Sequence, residues 1–238
     1  MIKNIQIKRI MKKLIFTFIV CLLATTANAQ SDYSTLYESV TQTKQYECNG
    51  KTKAELWHNL KRWVALTFNS YKFVADMEDE KSGEMILKVT LSPDYSPLKY
   101  WVVKYPTTID IVVQDGIYTM FLKNGKFECA ATDRMNSINR FTPSVILDDM
   151  LAESNALKDI MGYDGDCSIE HVYFNINFYS KQMNNTPKYR KPKDERKGKV
   201  DSLWKDYNDK YNTACSILTG YSITIRDLKD SLEKDMRR

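Results

Sequence analysis

The feature that most constrains the fold is an amphipathic helix pattern that gives way, within a few residues, to strand patterns. The segment Thr52-Lys53-Ala54-Glu55 fits a capping box, because the Thr hydroxyl and the Glu carboxylate can each accept a backbone N–H. The residues of one helical face follow at the expected spacing: Leu56, Leu60, Trp63, Val64 and Thr67. Such a face must be packed against another element, and the strands that follow it are the nearest candidate.

From Lys72 onward the hydrophobic period changes from 3.6 to 2. Alternating residues mark one strand over Met85–Leu91 and another over Ile109–Val113, and Asp115-Gly116 is a strong hairpin signal. Further strands are predicted at an edge around Val40–Cys48, and at Phe73–Met77, Ile117–Leu122 and Phe127–Ala130. This order predicts an α+β fold, in which an antiparallel sheet is covered on one face by the Thr52–Phe68 helix.

The second half is predicted to be mainly helical. A helix begins at Thr142-Pro143 and ends at Gly162, and a later one runs from Lys199 to Leu218 before Gly220. Residues 223–238 are predicted to form a charged, frayed terminal helix. Cys167–Tyr179 reads as a strand because Val172, Phe174, Ile176 and Phe178 alternate, with a helix as the alternative. Trp57, Trp63 and Trp204 are predicted to lie in the core.

The first 29 residues have the pattern of a secretory signal peptide. A basic start at Met11-Lys12-Lys13 precedes an apolar run over Leu14–Leu23 and the small-residue cleavage site Ala27-Asn28-Ala29. The apolar run is too short to span a bilayer, so no transmembrane segment is expected after cleavage. The competing interpretation, a lipoprotein modified at Cys21, is disfavoured because bulky Val20 precedes that cysteine. The pattern predicts export to the periplasm or the cell exterior.

Removal of this leader changes the charge of the protein. The chain has 35 Lys+Arg and 30 Asp+Glu, and five of the basic residues but none of the acidic ones lie in residues 1–29. The exported chain therefore carries 30 residues of each sign. A neutral protein has no general attraction for phosphate backbones, so nucleic acid is not an expected partner.

Four cysteines remain after cleavage, namely Cys48, Cys129, Cys167 and Cys215. None are spaced as CxxC, which disfavours a zinc knuckle or a thioredoxin-like redox pair. In an oxidising compartment a structural disulfide is one interpretation, with Cys48–Cys129 the preferred pair. Buried free thiols are the alternative.

Three stretches carry a family resemblance. The run from Lys53-Ala54-Glu55-Leu56-Trp57 to Phe68 and the run Val74–Ile86 resemble a family of exported Bacteroidetes proteins, as does the hairpin over Thr107–Lys123. That family is known only as a domain of unknown function with a TBP-like fold. The likeness covers roughly residues 36–130 and implies a domain over 30–135, followed by a mainly helical extension over 136–238. It defines no catalytic residues.

The densest candidate site is the acidic cluster Asp76, Glu78, Asp79 and Glu80. Carboxylates at a strand end are suitable ligands for calcium or can share acid–base work. The spacing does not match an EF-hand loop, and a solvated hairpin turn is the plainer interpretation. Neither GxSxG nor a phosphate-binding glycine loop is present, so no cofactor and no catalytic residue are predicted.

A second candidate combines aromatic and basic residues. Tyr100 and Trp101 lie in a proline-rich connection, where Trp101 is the tryptophan best placed for exposure. Lys188, Arg190 and Lys191 belong to a basic, proline-containing loop over 184–199. Together they suggest surface glycan capture, and the basic loop alone could bind an anionic glycan, a lipid headgroup or nucleic acid, but a solvated loop is the favoured interpretation of the basic residues.

These patterns favour a non-catalytic binding or assembly module of the bacterial cell envelope, with an envelope protein or a glycan as its partner. The alternatives are an enzyme or metal-binding protein that uses Asp76–Glu80, and a surface glycan-binding protein that uses Tyr100 and Trp101.

The signal peptide predicts that the protein isolated from its native envelope begins at Gln30, and N-terminal sequencing measures this directly. Replacement of the small residue at the cleavage site, Ala29→Leu, should leave the leader attached. An envelope protein that still begins at Met1 or Met11 would contradict the prediction.

Overall fold

The computed structural model of the chain describes residues 33–68, 70–123, 125–133, 142–161, 167–186 and 195–238, the side chains of 195–197 apart. Helix α1 spans 33–41. The elements that follow are β1 (Lys44–Glu47), α2 (Lys53–Thr67), α3 (Tyr71–Val74), β2 (Ala75–Asp79), β3 (Glu84–Leu91), β4 (Trp101–Gln114), β5 (Ile117–Lys123), β6 (Glu128–Ala131), α4 (Ser144–Met161), α5 (Ile169–Asn185) and α6 (Glu195–Met236). The predicted α+β class with a mainly helical second half is confirmed.

The sheet is antiparallel and has the order β1-β5-β4-β3-β2. Strand β4 is 14 residues long and organises the sheet, because it pairs with β3, with β5 and, through its first residues, with β6. The Asp115-Gly116 turn joins β4 to β5 as predicted. Gly116 has φ 73°, a conformation that costs glycine little.

Helix α2 begins at the predicted capping box. The Glu55 N–H donates to Thr52 Oγ1 at 3.3 Å, and the Thr52 N–H donates to Glu55 Oε2 at 2.8 Å. The Lys53 N–H donates to the Asp115 carboxylate at 2.7 Å, which attaches the start of the helix to the β4–β5 hairpin. Trp63 is fully buried in the core, which confirms that the indole-bearing face packs inward.

Helix α6 covers the core beside α2 and is a single helix of 42 residues. Trp63 Nε1 donates to Ser231 Oγ at 3.1 Å, and Asn59 Nδ2 donates to the Met236 carbonyl at 3.4 Å. The prediction of two helices with a frayed end was wrong, because apolar residues of the terminal segment recur on one face. Those buried are Ile217, Leu218, Tyr221, Ile225, Leu228, Leu232 and Met236.

Gly220 permits the close approach of α6 to the sheet and does not end the helix. A Cβ at this position would lie 2.4 Å from Tyr105 Oη and 3.0 Å from Pro97 Cγ. Tyr105 Oη donates to the Ile217 carbonyl at 2.9 Å, so the fully buried ring is held where the added carbon would be. Sequence alone cannot separate a glycine that ends a helix from one that lets the helix pack closely.

Two further segments differ from the prediction. Cys167–Tyr179 is not a strand, because α5 begins at Ile169, where Ser168 Oγ accepts the His171 N–H at 3.1 Å. The predicted edge strand at Val40–Cys48 is confirmed only for β1, since residues 33–41 are helical. The boundary between residues 135 and 136 stays a prediction, although the sheet and the C-terminal part of α6 share one core.

Two glycines of α6 provide a matched test of close packing. We expect Gly220→Ala to lower the free energy of unfolding by about 1–3 kcal/mol, because the methyl group overpacks against Tyr105 and Pro97. Gly198 has open space around its Cβ position, so Gly198→Ala should instead raise stability by about 0.5–1 kcal/mol through helix propensity. Urea unfolding monitored by circular dichroism measures both, and equal stabilisation by the two substitutions would contradict the packing role.

Candidate functional site

The acidic cluster does not form a metal site. Asp76 lies at a bulge between Ala75 and Met77 and pairs with Lys88 of β3 at 2.9 Å. Glu78 pairs instead with Lys61 of α2 at 2.9 Å and accepts the Tyr71 hydroxyl at 2.6 Å, and these two contacts lower the pKa of its carboxyl.

Asp79 takes part in the turn that follows β2. It accepts the Lys81 N–H at 2.9 Å, and hydrogen bonds from Ser82 and Lys81 lower its pKa. Asp76, Glu78 and Asp79 therefore each have their own local partner. Among the residues that the structure describes, no group of three His, Cys, Asp or Glu side chains could hold a metal ion.

The predicted aromatic platform is part of the packed structure. Tyr100 is 1% exposed, and its N–H donates to Glu153 of α4 at 2.8 Å. The indole nitrogen of Trp101 is buried without a hydrogen-bond partner among the described residues. Tyr100 is thus enclosed where α4 covers the connection before β4, whereas Trp101 is partly buried, and a glycan contact through Trp101 stays a prediction. Lys188, Arg190 and Lys191 lie outside the described residues.

Cys48 and Cys129 do not form the expected disulfide, and both thiols are free. The Cys48 N–H donates to Gly116 at the hairpin end of β4, whereas Cys129 is paired with Val103 near the other end. At ~3.3 Å per residue along β4 the two positions are roughly 30 Å apart, far beyond the reach of a disulfide. Burial raises the pKa of Cys129 to about 12, which keeps this thiol protonated and unreactive.

Helix α5 exposes aromatic residues that the predicted strand would have placed on the same face as the buried ones. Val172 and Ile176 of α5 are buried, but Phe174 and Phe178 on the opposite face are 60% and 42% exposed. A strand would have placed all four side chains on one face. In a helix, residues two positions apart point in different directions, so the same apolar residues are divided between core and surface.

The rings of α5 form a connected series that reaches α6. Ring centroids are separated by 6.3 Å between Phe174 and Phe178, by 5.2 Å between Phe178 and Tyr179, and by 6.2 Å between Tyr179 and Tyr207 of α6. Trp204, one turn before Tyr207, is 43% exposed. The prediction that Trp204 lies in the core was therefore wrong.

Helix α4, which also exposes apolar residues, is joined to α6 by an ion pair between Asp159 and Lys210 at 2.5 Å. The pKa of Lys205 of α6 is raised first by its contact with Asp209 and also by the charges of Asp149 and Asp148 of α4. We call the exposed residues of these three helices the apolar helical surface: Leu147 and Leu151 of α4, Phe174 and Phe178 of α5, and Leu203 and Trp204 of α6.

The apolar helical surface has the chemistry of a protein contact. Its side chains carry no hydrogen-bonding groups except the indole N–H, and charged residues such as Asp148 and Lys205 lie beside them. An apolar centre with a charged margin is typical of protein interfaces, and aromatic anchors contribute most of the binding energy there. No described helix is both long and apolar enough to cross a bilayer.

The comparisons with known proteins concern the sheet domain first. Residues 43–128 match the family model described as a domain of unknown function (DUF4468) with TBP-like fold. A DUF4468 family protein from Bacteroides ovatus ATCC 8483 is 16% identical, with a TM-score of 0.30 over 47% of this chain and 81% of that one. A TBP-like protein from Parabacteroides distasonis ATCC 8503 is 10% identical, with a TM-score of 0.37 over 81% of this chain and 91% of that one.

No curated protein matches the chain. The family match includes β1 to β5 and α2, the elements whose residues carry the resemblance seen in the sequence. Over residues 43–128, the chain is thus similar to the DUF4468 family, a domain of unknown function with a TBP-like fold.

Proposed function

We propose that this protein is an exported, non-catalytic binding module of the bacterial cell envelope, which docks another envelope protein through the apolar helical surface. The observation that carries the proposal is the exposure of Phe174, Phe178 and Trp204 on helices that pack against one another. Large apolar side chains exposed together are commonly covered by a partner. The signal peptide predicted for residues 1–29 supports the cell envelope as the compartment.

A protein suits this surface better than a glycan does. Sugars are held by hydrogen bonds to their hydroxyl groups together with stacking on aromatic rings, whereas Leu147, Leu151 and Leu203 offer only apolar contact. The chemistry of the other candidate sites also favours a binding module. The carboxylates of Asp76 and Glu78 are paired with lysines on separate elements, and Tyr100 is buried.

The proposal predicts a position-specific contact in intact cells. A photo-crosslinking phenylalanine analogue at Phe174 should give an adduct of defined mass with an envelope protein. The matched control is Phe73 on α3, an exposed phenylalanine outside the apolar helical surface, where the analogue should not give that adduct. Mass spectrometry of the adducts identifies the partner.

The purified partner then allows a measurement of affinity. Phe174→Ser with Phe178→Ser should weaken binding by about tenfold or more, as expected for aromatic anchors, and Phe73→Ser should leave it unchanged. Circular dichroism checks that both variants remain folded. The proposal fails if the two positions crosslink alike, if neither crosslinks, or if the adduct is a second copy of this chain.

A further inference from the structure

A cleft with several charged side chains lies far along α6 from the apolar helical surface. Its volume is about 450 Å³, and it is bounded by residues of α1 and β1 on one side and by the Ser222–Glu233 part of α6 on the other. Clefts of a few hundred Å³ accommodate small molecules. The charged residues at its walls are Lys44, Arg226, Lys229, Asp230 and Glu233.

Two ammonium groups border this cleft without a carboxylate partner. Lys229 is half-buried and donates to the Ser39 carbonyl, in the last turn of α1, at 2.8 Å. Burial lowers its pKa, and the positive charge of Lys44 lowers it further. Within the described residues, neither lysine forms an ion pair. The ammonium group of half-buried Lys229 is therefore incompletely solvated and also feels the like charge of exposed Lys44, an arrangement that an anion would relieve.

A hydroxyl group adds a further donor to the same wall. Tyr46 is 8% exposed, stacks on Tyr118 at a centroid distance of 4.7 Å, and has no hydrogen-bond partner for its hydroxyl among the described residues. Burial raises its pKa, as do Glu233 and Asp230, so the hydroxyl remains protonated. A buried donor without an acceptor costs free energy, which a rearrangement around a bound anion would recover.

The charged residues of the cleft differ in whether they already take part in an ion pair. Glu233 is paired with Arg237 at 2.5 Å, and Arg226 is paired with Asp227 at 3.1 Å. Both pairs join a residue of the wall to one outside it. This leaves a ligand to meet the charges of Lys44, Lys229 and Asp230. Two of these charges are positive and one is negative, which favours an anion.

We propose that this cleft binds a small organic or inorganic anion, whose carboxylate or phosphate group lies between the ammonium groups of Lys44 and Lys229. Charge-assisted hydrogen bonds from two ammonium groups are strong recognition elements for either group. The site lies on residues that belong neither to the apolar helical surface nor to the acidic cluster of β2.

Isothermal titration calorimetry of the mature chain with sodium succinate and with sodium phosphate tests the proposal. We expect one of the two anions, or both, to bind at a single site, and the anion that binds distinguishes a carboxylate from a phosphate ligand. Lys44→Met and Lys229→Met should each weaken binding by about tenfold or more. Lys205→Met removes the same charge from an exposed position of α6 and should leave binding unchanged.

A substitution with the opposite expected effect separates binding from damage to the fold. Asp230→Asn removes a negative charge from the wall and should tighten binding by about threefold. Lys229→Met also removes the contact with Ser39, so Lys44→Met, which leaves that contact intact, is the decisive loss variant. The proposal is overturned if neither anion binds, if Lys205→Met weakens binding as much as Lys44→Met, or if Asp230→Asn weakens it.

Discussion

The structure depends on the close contact between α6 and the sheet at Gly220. Only a residue without a side chain lets the helix lie against Tyr105, whose hydroxyl then bonds to the Ile217 carbonyl one turn earlier. From that contact onward the helix keeps its apolar face on the core and reaches Trp63 of α2 through Ser231. The indole face of α2 is thus enclosed between the sheet and α6, and the folded unit extends beyond the segment that the family match covers.

The parts of the fold that sequence predicted are those in which local chemistry and tertiary packing agree. The Thr52–Glu55 capping box, the Met85–Leu91 alternation and the Asp115-Gly116 turn each depend on neighbouring residues. The prediction failed where the same apolar residues fit both the period of a strand and the period of a helix. Val172 and Ile176 fit both an alternating strand and the buried face of a helix, and the Ser168 cap that decides between them is a weak signal.

Candidate sites were harder to predict, because a site depends on which residues the fold brings together. Asp76 and Glu78 are neighbours in sequence, yet the bulge sends them to lysines on different elements. Lys44 and Lys229 are far apart in sequence but line the same cleft, so no local motif marks them. The exposure of the α5 rings could be recognised only once the segment was known to be helical. The sequence signal for it was the spacing of four residues between Phe174 and Phe178, which places both on one helical face.

The length of α6 has a mechanical consequence. At a rise of ~1.5 Å per residue, the stretch of helix from Trp204 to Lys229 measures roughly 38 Å. A single continuous helix thus carries the exposed indole of Trp204 towards one end and Lys229 of the charged cleft towards the other. A protein docked on the apolar helical surface and an anion in the charged cleft would therefore be held at a fixed distance from each other.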